Sequence, residues 1–168
     1  MTQRLLSSTV FAIAAALCAS TASADAVVET VHVVITGGKN AGTWDASTER
    51  GGCSAGLTGA GSWGNQFSLS KEKDPAKFNS LQLIVPDAKK AASGSKEFLL
   101  IAAFGPLMQR SAEYTVETRP AEPKKTGSGT VTVQDKGATA LVSFNVTTAA
   151  GVKLEGTIDC KTVIRAPA

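Results

Sequence analysis

The most regular alternation of apolar and polar residues lies in the stretch Gly129–Cys160. Between residues 140 and 146 every second residue is apolar, and this period of two is typical of a half-buried strand. Polar, glycine-containing turns at residues 135–137 and 149–151 separate this run from a similar run on each side. The stretch therefore predicts three consecutive antiparallel strands, with Cys160 in phase with the apolar residues of the third.

Shorter runs of the same kind precede this unit and are separated by turn residues. The predicted strands are residues 27–36, 43–47, 65–70, 80–85, 97–104 and 113–118. No stretch after residue 24 has a helical period, and Asp87–Ser95 allows a single helical turn at most. Many short strands at regular spacing are typical of sandwiches and barrels. We therefore predict an all-β chain that folds as an antiparallel β-sandwich, or a small barrel, of about eight strands.

Two stretches give no clear strand pattern. Arg50–Gly64 is rich in glycine, which weakens helices and strands alike, and we interpret it as an ordered loop anchored by Cys53. Its last six residues have the spacing G-x-G-x-x-G, but a dinucleotide site also needs a strand before it and a helix after it. Lys161–Arg165 is expected to extend the last strand or to fray.

The first 24 residues predict a secretory signal peptide. Arg4 gives a positive start, Val10–Leu17 is a short apolar run, and Ala22-Ser23-Ala24 fits a cleavage site. The apolar run is much shorter than the roughly 20 residues of a membrane-spanning helix. Because no twin arginine is present, we predict Sec-type export with cleavage after Ala24.

The expected mature product is a single secreted or periplasmic domain of residues 25–168, without an integral membrane segment. Cys18 raises the alternative of a lipoprotein. However, the bulky Leu17 stands before it, where lipoproteins carry a small residue. We therefore expect an unlipidated protein.

Removal of the signal peptide leaves two cysteines, Cys53 and Cys160. An even pair in an oxidising compartment predicts a disulfide. It would close a loop of about 107 residues, for which the chain-entropy model gives roughly 4–5 kcal/mol of stabilisation. This cross-link would join the glycine-rich region to the last strand.

The mature chain is nearly neutral. Without Arg4 it carries 16 basic and 14 acidic residues, a net charge of about +2. Nucleic-acid binding needs a concentrated basic face, and strong attraction to anionic lipid needs a basic cluster. The charge balance therefore argues against both kinds of partner.

His32, the only histidine, could form a copper or zinc site with Cys53 and Cys160. This combination would make the chain a periplasmic metal or redox protein. The spacing fits no compact ligand motif, however, and export favours the disulfide. We therefore predict no metal and no cofactor, with His32 on the polar face of its strand as a ligand-binding candidate only.

Trp44 and Trp63 are the only tryptophans, and they flank the glycine-rich loop. Carbohydrate-binding modules often present flat aromatic rings from such loops. Both residues are therefore ligand-binding candidates. The alternative is that both are core residues packed near the disulfide.

Catalytic patterns are weak. Asp45 or Asp159 could orient His32, but no G-x-S-x-G motif is present. The carboxylates of Asp45, Glu49 and Glu113 cannot be told from surface charges by sequence. We therefore predict no catalytic residues and favour an exported, non-catalytic binding or cell-envelope protein, with an envelope component or a glycan as its partner.

Overall fold

A computed structural model describes residues 26–167. This part of the chain folds into eleven strands and one short helix, arranged as two sheets packed together. The prediction of an all-β, sandwich-like fold with one long-range disulfide is confirmed. The predicted signal peptide, its cleavage site and Cys18 lie outside the described residues.

The first sheet contains five strands, all paired antiparallel, in the order β2-β1-β10-β9-β8. Their bounds are β1 Glu29–Thr36, β2 Gly42–Thr48, β8 Gly127–Asp135, β9 Ala140–Thr148 and β10 Lys153–Cys160. The predicted three-strand unit at the end of the chain is therefore confirmed as β8, β9 and β10. The apolar residues of the alternating runs, such as Val142 and Phe144, are buried.

The second sheet contains six strands in the order β11-β3-β4-β5-β6-β7. Their bounds are β3 Gly51–Ala55, β4 Trp63–Ser68, β5 Phe78–Val85, β6 Leu99–Phe104, β7 Ala112–Glu117 and β11 Val163–Arg165. The helix α1, Ala88–Ala91, follows β5, and the side chain of Asp87 accepts hydrogen bonds from the first free backbone N–H groups. Within residues 26–167, no helix has the length and apolar character needed to cross a bilayer.

The glycine-rich stretch was predicted to be a loop, and this prediction is wrong for Gly51–Ala55, which forms β3. The cause is close approach of two backbones. Gly51 has a φ of +88°, and a Cβ atom there would lie 2.3 Å from the carbonyl oxygen of Gln66 on β4. Glycine at this position permits the pairing of β3 with β4.

The end of the chain also differs from the prediction, because it neither extends β10 nor frays. After Cys160 the chain leaves the first sheet, and β11 pairs in parallel with β3 in the second sheet. Together, β3 and β11 account for the difference between the eleven observed strands and the nine strand runs read from the sequence, which were predicted as a sandwich of about eight strands. A three-residue strand carries too few positions for a pattern of period two to identify it.

Strand β2 crosses several strands of the second sheet. Trp44, near the start of β2, packs against Phe104 at the end of β6, with ring centroids 5.1 Å apart. The hydroxyl oxygen of Thr48, at the end of β2, lies 2.9 Å from the carbonyl oxygen of Arg50 and 3.4 Å from that of Ser68 at the end of β4. Strand β2 therefore runs across the strand ends of the second sheet instead of along one strand, as in orthogonal sheet packing.

Candidate binding groove along strand β2

Strand β2 forms one border of the first sheet and pairs only with β1. The register runs without a bulge from Glu29 opposite Thr48 to Ile35 opposite Gly42. Apart from this pairing, the backbone groups of residues 42–47 make no hydrogen bond to the rest of the described chain. An edge strand directs alternate N–H and C=O groups away from its neighbour, so β2 offers a row of unpaired backbone groups.

Two adjoining cavities follow this free edge. The first, about 420 Å³, lies between residues 43–46 and a wall that includes Leu69 and Phe78. The second, about 400 Å³, lies between residues 47–50 and residues 68–71. Leu69 lines both cavities. We call the pair of cavities the β2 groove and the segment 68–78 its wall.

Trp44 lines the groove in a fixed orientation. Its ring is half-buried, and its Nε1 donates a hydrogen bond to the backbone carbonyl of Asn40 at 3.2 Å. Asn40 is held in turn by Tyr114, whose hydroxyl donates to Asn40 Oδ1 at 3.1 Å. With Phe104 against its edge, the indole is anchored, while part of its surface lines the cavity. The prediction that Trp44 contributes to a ligand site is thus compatible with its position and remains a prediction.

The groove combines an apolar interior with charges of both signs. Phe78 lies at its base and stacks on Phe67, with ring centroids 5.9 Å apart. The charged lining residues are Asp45, Glu72 and Lys77 in the first cavity and Glu49, Arg50 and Lys71 in the second. Such a mixture fits a ligand with apolar and polar positions better than an ion of one sign.

Trp63 does not present its ring to a ligand in this structure. It begins β4, points into the core and is 0% exposed. The alternative interpretation of this tryptophan, as a core residue, therefore holds for Trp63 and not for Trp44. The alternation of apolar residues in β4 identifies the buried face only when Trp63 is included in the strand.

The sequence also suggested a metal or redox site of His32, Cys53 and Cys160, and the structure does not bring these residues together. Both cysteines are buried and joined to each other, with 5.9 Å between their Cα atoms. His32 points to the outer face of the first sheet, where its Nδ1 lies 2.6 Å from Asp45 Oδ1. Within residues 26–167, no group of three or more His, Cys, Asp or Glu side chains is placed to hold a metal ion.

The pairing of His32 with Asp45 joins β1 to β2 and resembles two members of a catalytic triad. Their side chains are 45% and 72% exposed on an open sheet face. Among the described residues, no serine or threonine hydroxyl is hydrogen-bonded to the imidazole. The pair therefore lacks a nucleophile in place, and its evident contribution is a cross-strand contact.

The other nominated carboxylates lie apart. Glu113, on β7, pairs with Arg110, which precedes the strand. Asp159, on β10, pairs with Lys161 at 2.5 Å. Asp45 and Glu49 line different cavities of the β2 groove. No two of the three nominated carboxylates Asp45, Glu49 and Glu113 therefore line the same cavity.

Sequence reasoning missed a row of ties between the sheets. Cys160, Glu29 and Thr48 are direct neighbours across β10, β1 and β2. Each contacts the second sheet: Cys160 is bonded to Cys53, Glu29 accepts a hydrogen bond from Asn65, and Thr48 Oγ1 lies 3.4 Å from the carbonyl oxygen of Ser68. We call these three contacts the tie row. It fixes one end of β2 to the second sheet and so helps to define the groove.

The middle member of the tie row is a carboxyl group in the core. Glu29 is 0% exposed, and its Oε1 accepts a hydrogen bond from Asn65 Nδ2 at 2.5 Å. Burial raises the pKa of Glu29 from 4.5 to about 7, and the hydrogen bond from Asn65 lowers it only in part. The alternation of β1 placed position 29 on the buried face, but a charged residue there gives no apolar signal.

A second surface depression, about 340 Å³, lies over the glycine-rich strands β3 and β4. Leu57 and Ile164, which line it, are 56% and 60% exposed. Gly64 is also part of its lining, whereas Trp44 and Trp63 are not. The glycine-rich region predicted to carry the ligand site thus separates from Trp44, which belongs to the β2 groove.

These features define a disulfide-linked, two-sheet β-protein with a groove along the free edge of β2. Comparison with protein-family models, with the curated proteins and with solved structures finds no match for this chain. The geometry of its own residues therefore carries the functional argument.

Proposed function

We propose that this protein is an exported, non-catalytic binding protein of the periplasm or cell envelope, and that its ligand occupies the β2 groove. The observation that carries the proposal is the anchored, half-buried Trp44 on the wall-facing side of an unpaired edge strand. An aromatic ring held in place contacts a ligand at little cost in conformational entropy.

The proposed location is supported by the pattern of residues 1–24 and by the cross-link between Cys53 and Cys160. Disulfides persist in oxidising compartments and are rare in the cytosol. A mass for the exported protein equal to residues 25–168 less two hydrogen atoms is the expected result. A mass that includes residues 1–24, or an acyl group on Cys18, would contradict this location or its unlipidated form.

Site-specific photocrosslinking tests the proposed site. A benzophenone amino acid at Ser47 would lie at the open mouth of the groove, because Ser47 is exposed and belongs to the lining of the second cavity. The same amino acid at Ser143, which is exposed on the outer face of β9, is the matched control. Benzophenone inserts into C–H bonds and so captures peptides, glycans and lipids alike.

In cells that export the protein, we expect discrete adducts from position 47 and none from position 143. Adducts of equal amount from both positions, or from neither, would contradict a ligand site in the groove. Turnover of an ester, peptide or glycoside that is lost on substitution of one serine or carboxylate would contradict the non-catalytic role.

A further inference from the structure

The two border strands of the first sheet differ in what meets their free edge. At β8, the backbone N–H and C=O of Val131 both bond to Ser95, at 2.9 and 2.7 Å. Near the start of β8, the N–H of Thr126 donates to the carbonyl of Glu117, and helix α1 packs against the strand. The chain itself thus covers this border.

The border at β2 has no such cover. Strand β2, with the sequence GTWDAST, contains no proline, no lysine and no bulge. These are three of the devices by which natural edge strands avoid pairing with other chains, and the charged Asp45 of β2 is itself paired with His32. A seven-residue strand that lacks them, and that has a groove along its free edge, is suited to accept another strand.

We propose that the β2 groove binds an extended segment of a partner polypeptide, which adds to the first sheet as a sixth strand. This inference rests on the proposed binding role of the groove and names its ligand class. The unpaired N–H and C=O groups of β2 would bond to the backbone of the incoming segment, as in other cases of strand addition.

The shape of the groove fits this occupant. An added strand lies about 4.8 Å from its neighbour, and seven residues of β2 extend over roughly 23 Å. The two cavities continue along the strand and meet at Leu69. An occupant that follows both cavities is therefore elongated, as an extended peptide is.

The side chains of the groove also indicate the sequence that the partner segment carries. Positions that point inward meet Trp44, Leu69 and Phe78, so they are expected to be apolar. Positions that point outward lie beside Thr43 and Ser47 and are expected to be polar. The partner segment thus alternates apolar and polar residues, with a period of two.

The wall favours one inserted strand over a second whole copy of this protein. In an antiparallel pair of β2 strands, each copy would carry its own segment 68–78 along the same shared edge. The two walls would then compete for one space. A single strand from a partner meets only one wall.

A library of random twelve-residue peptides displayed on phage is the probe that tests this proposal. It is selected on the wild-type protein, and the selected peptides are then measured against Ser47→Lys and Ser143→Lys. Lysine at position 47 stands on the outer face of an edge strand, where lysine opposes the addition of another strand, whereas position 143 lies on the same face of β9, which is paired on both sides. We expect at least a tenfold loss of affinity for Ser47→Lys and a change within twofold for Ser143→Lys.

N-methylation of the selected peptide tests the strand geometry. In an added strand, every second N–H group of the peptide bonds to β2. Methylating this set of alternate amides should abolish binding, whereas methylating the other set should change the affinity little. Equal effects of the two sets, or peptides that do not distinguish Ser47→Lys from Ser143→Lys, would overturn strand addition.

The two indole N–H signals in an NMR spectrum separate the failure of this inference from the failure of the binding role. Trp44 lines the groove, and the buried Trp63 is the internal reference. If oligosaccharides shift the Trp44 signal and no peptide does, strand addition is wrong and the binding role stands. If neither kind of molecule shifts it, both proposals are wrong. A dimer that Ser47→Lys dissociates would overturn the peptide proposal in favour of a second copy.

Discussion

The two border strands of the five-stranded sheet differ in whether another part of the chain bonds to the backbone groups of their free edge. Strand β8 bonds to Ser95 and lies beside Thr126, which is itself bonded to Glu117. Strand β2 is held at its two ends, by Trp44 and by Thr48, and its free edge remains open between them. Both strands belong to the same sheet, so the difference comes from the segments that cross them.

This difference shows that the hydrogen bonding of a strand's free edge depends on the segments that pass beside it, and not on the alternation of apolar and polar residues within the strand. The chain after α1 returns directly over β8, whereas the segment 68–78 passes beside β2 without bonding to its backbone. A backbone edge that the chain leaves unpaired is either solvated or available to a partner. The predictions below test how far the two borders are independent.

Removal of the disulfide is expected to have the largest effect. The double substitution of Cys53 and Cys160 by alanine should lower the free energy of unfolding by roughly 4–5 kcal/mol, because the cross-link closes a long loop. Urea unfolding measures the loss. Hydrogen exchange should show that amides of β1 and β2 lose more protection than those of β8, since the tie row joins that side of the sheet to β3 and β4. Equal loss of protection at both borders would contradict this account.

Replacement of Glu29 by glutamine is expected to remove a pH dependence of the folded state. The pKa of Glu29 is about 7 in the folded protein and 4.5 without the burial, so the folded state holds a proton that the unfolded state has lost. The contribution of Glu29 to stability is therefore fully present below pH 4.5 and is lost as the pH rises through 7, by about 3 kcal/mol in total. Glutamine keeps a neutral group at this position, so Glu29→Gln should be more stable than the wild type at pH 8.5.

Urea unfolding between pH 4 and 8.5 measures this difference. Glu155→Gln is the matched control, because Glu155 lies on the outer face of the same sheet and pairs with Lys153. It should keep the wild-type loss at high pH. If Glu29→Gln lost as much stability at high pH as the wild type does, the loss would not come from Glu29, and the buried carboxyl group of the wild type would not hold the extra proton.

A smaller effect is expected from removing one hydrogen bond beside β8, the border strand that the chain covers. Thr126→Val removes the hydroxyl that accepts a hydrogen bond from the backbone N–H of Glu117 at 2.8 Å. The loss of stability should be about 1–2 kcal/mol, as for a half-buried donor left without its partner. Thr130→Val, at an exposed position of β8, is the control and should change stability by less than about 0.5 kcal/mol. If the two variants behaved alike, the covering of β8 would not depend on this contact.

The smallest effect concerns acid conditions at the same border. The hydrogen bonds from Arg119 hold the pKa of Glu117 below its usual value of 4.5, despite partial burial. This contribution is present above the unfolded pKa and is lost as the pH falls through the folded pKa. Arg119→Gln should therefore flatten the loss of stability in acid, by less than about 1 kcal/mol. If the free energy of unfolding fell equally with decreasing pH in Arg119→Gln and in the wild type, the ion pair would contribute nothing measurable.

The sequence predicts much of the fold because alternation marks the buried face of each long strand. Val31, Val33, Val142 and Phe144 lie in the core as their pattern indicates. The pattern fails at Gly51, where glycine permits close strand pairing, and at β11, which is too short to show a period. Cys53 and Cys160 could be paired because they are the only cysteines after residue 24 of the sequence.

The candidate site was only partly accessible to the same reasoning. Trp44 and Trp63 look equivalent in sequence, and only the crossing of β2 over β6 places one at a groove and the other in the core. The pairing of Glu29 with Asn65 joins two sheets across 36 residues of sequence, which no local pattern encodes. The open edge of β2 follows from the path of segment 68–78, which is likewise a property of the tertiary structure.

Amide hydrogen exchange by NMR, with and without a selected peptide, tests the open edge of β2 most directly. In the free protein we expect slow exchange at Val131 in β8 and fast exchange at alternate amides of residues 42–47 in β2. Addition of the peptide should slow those β2 amides and leave Val131 unchanged. Slow exchange at all amides of β2 in the free protein, or a peptide that binds without protecting them, would contradict the open edge.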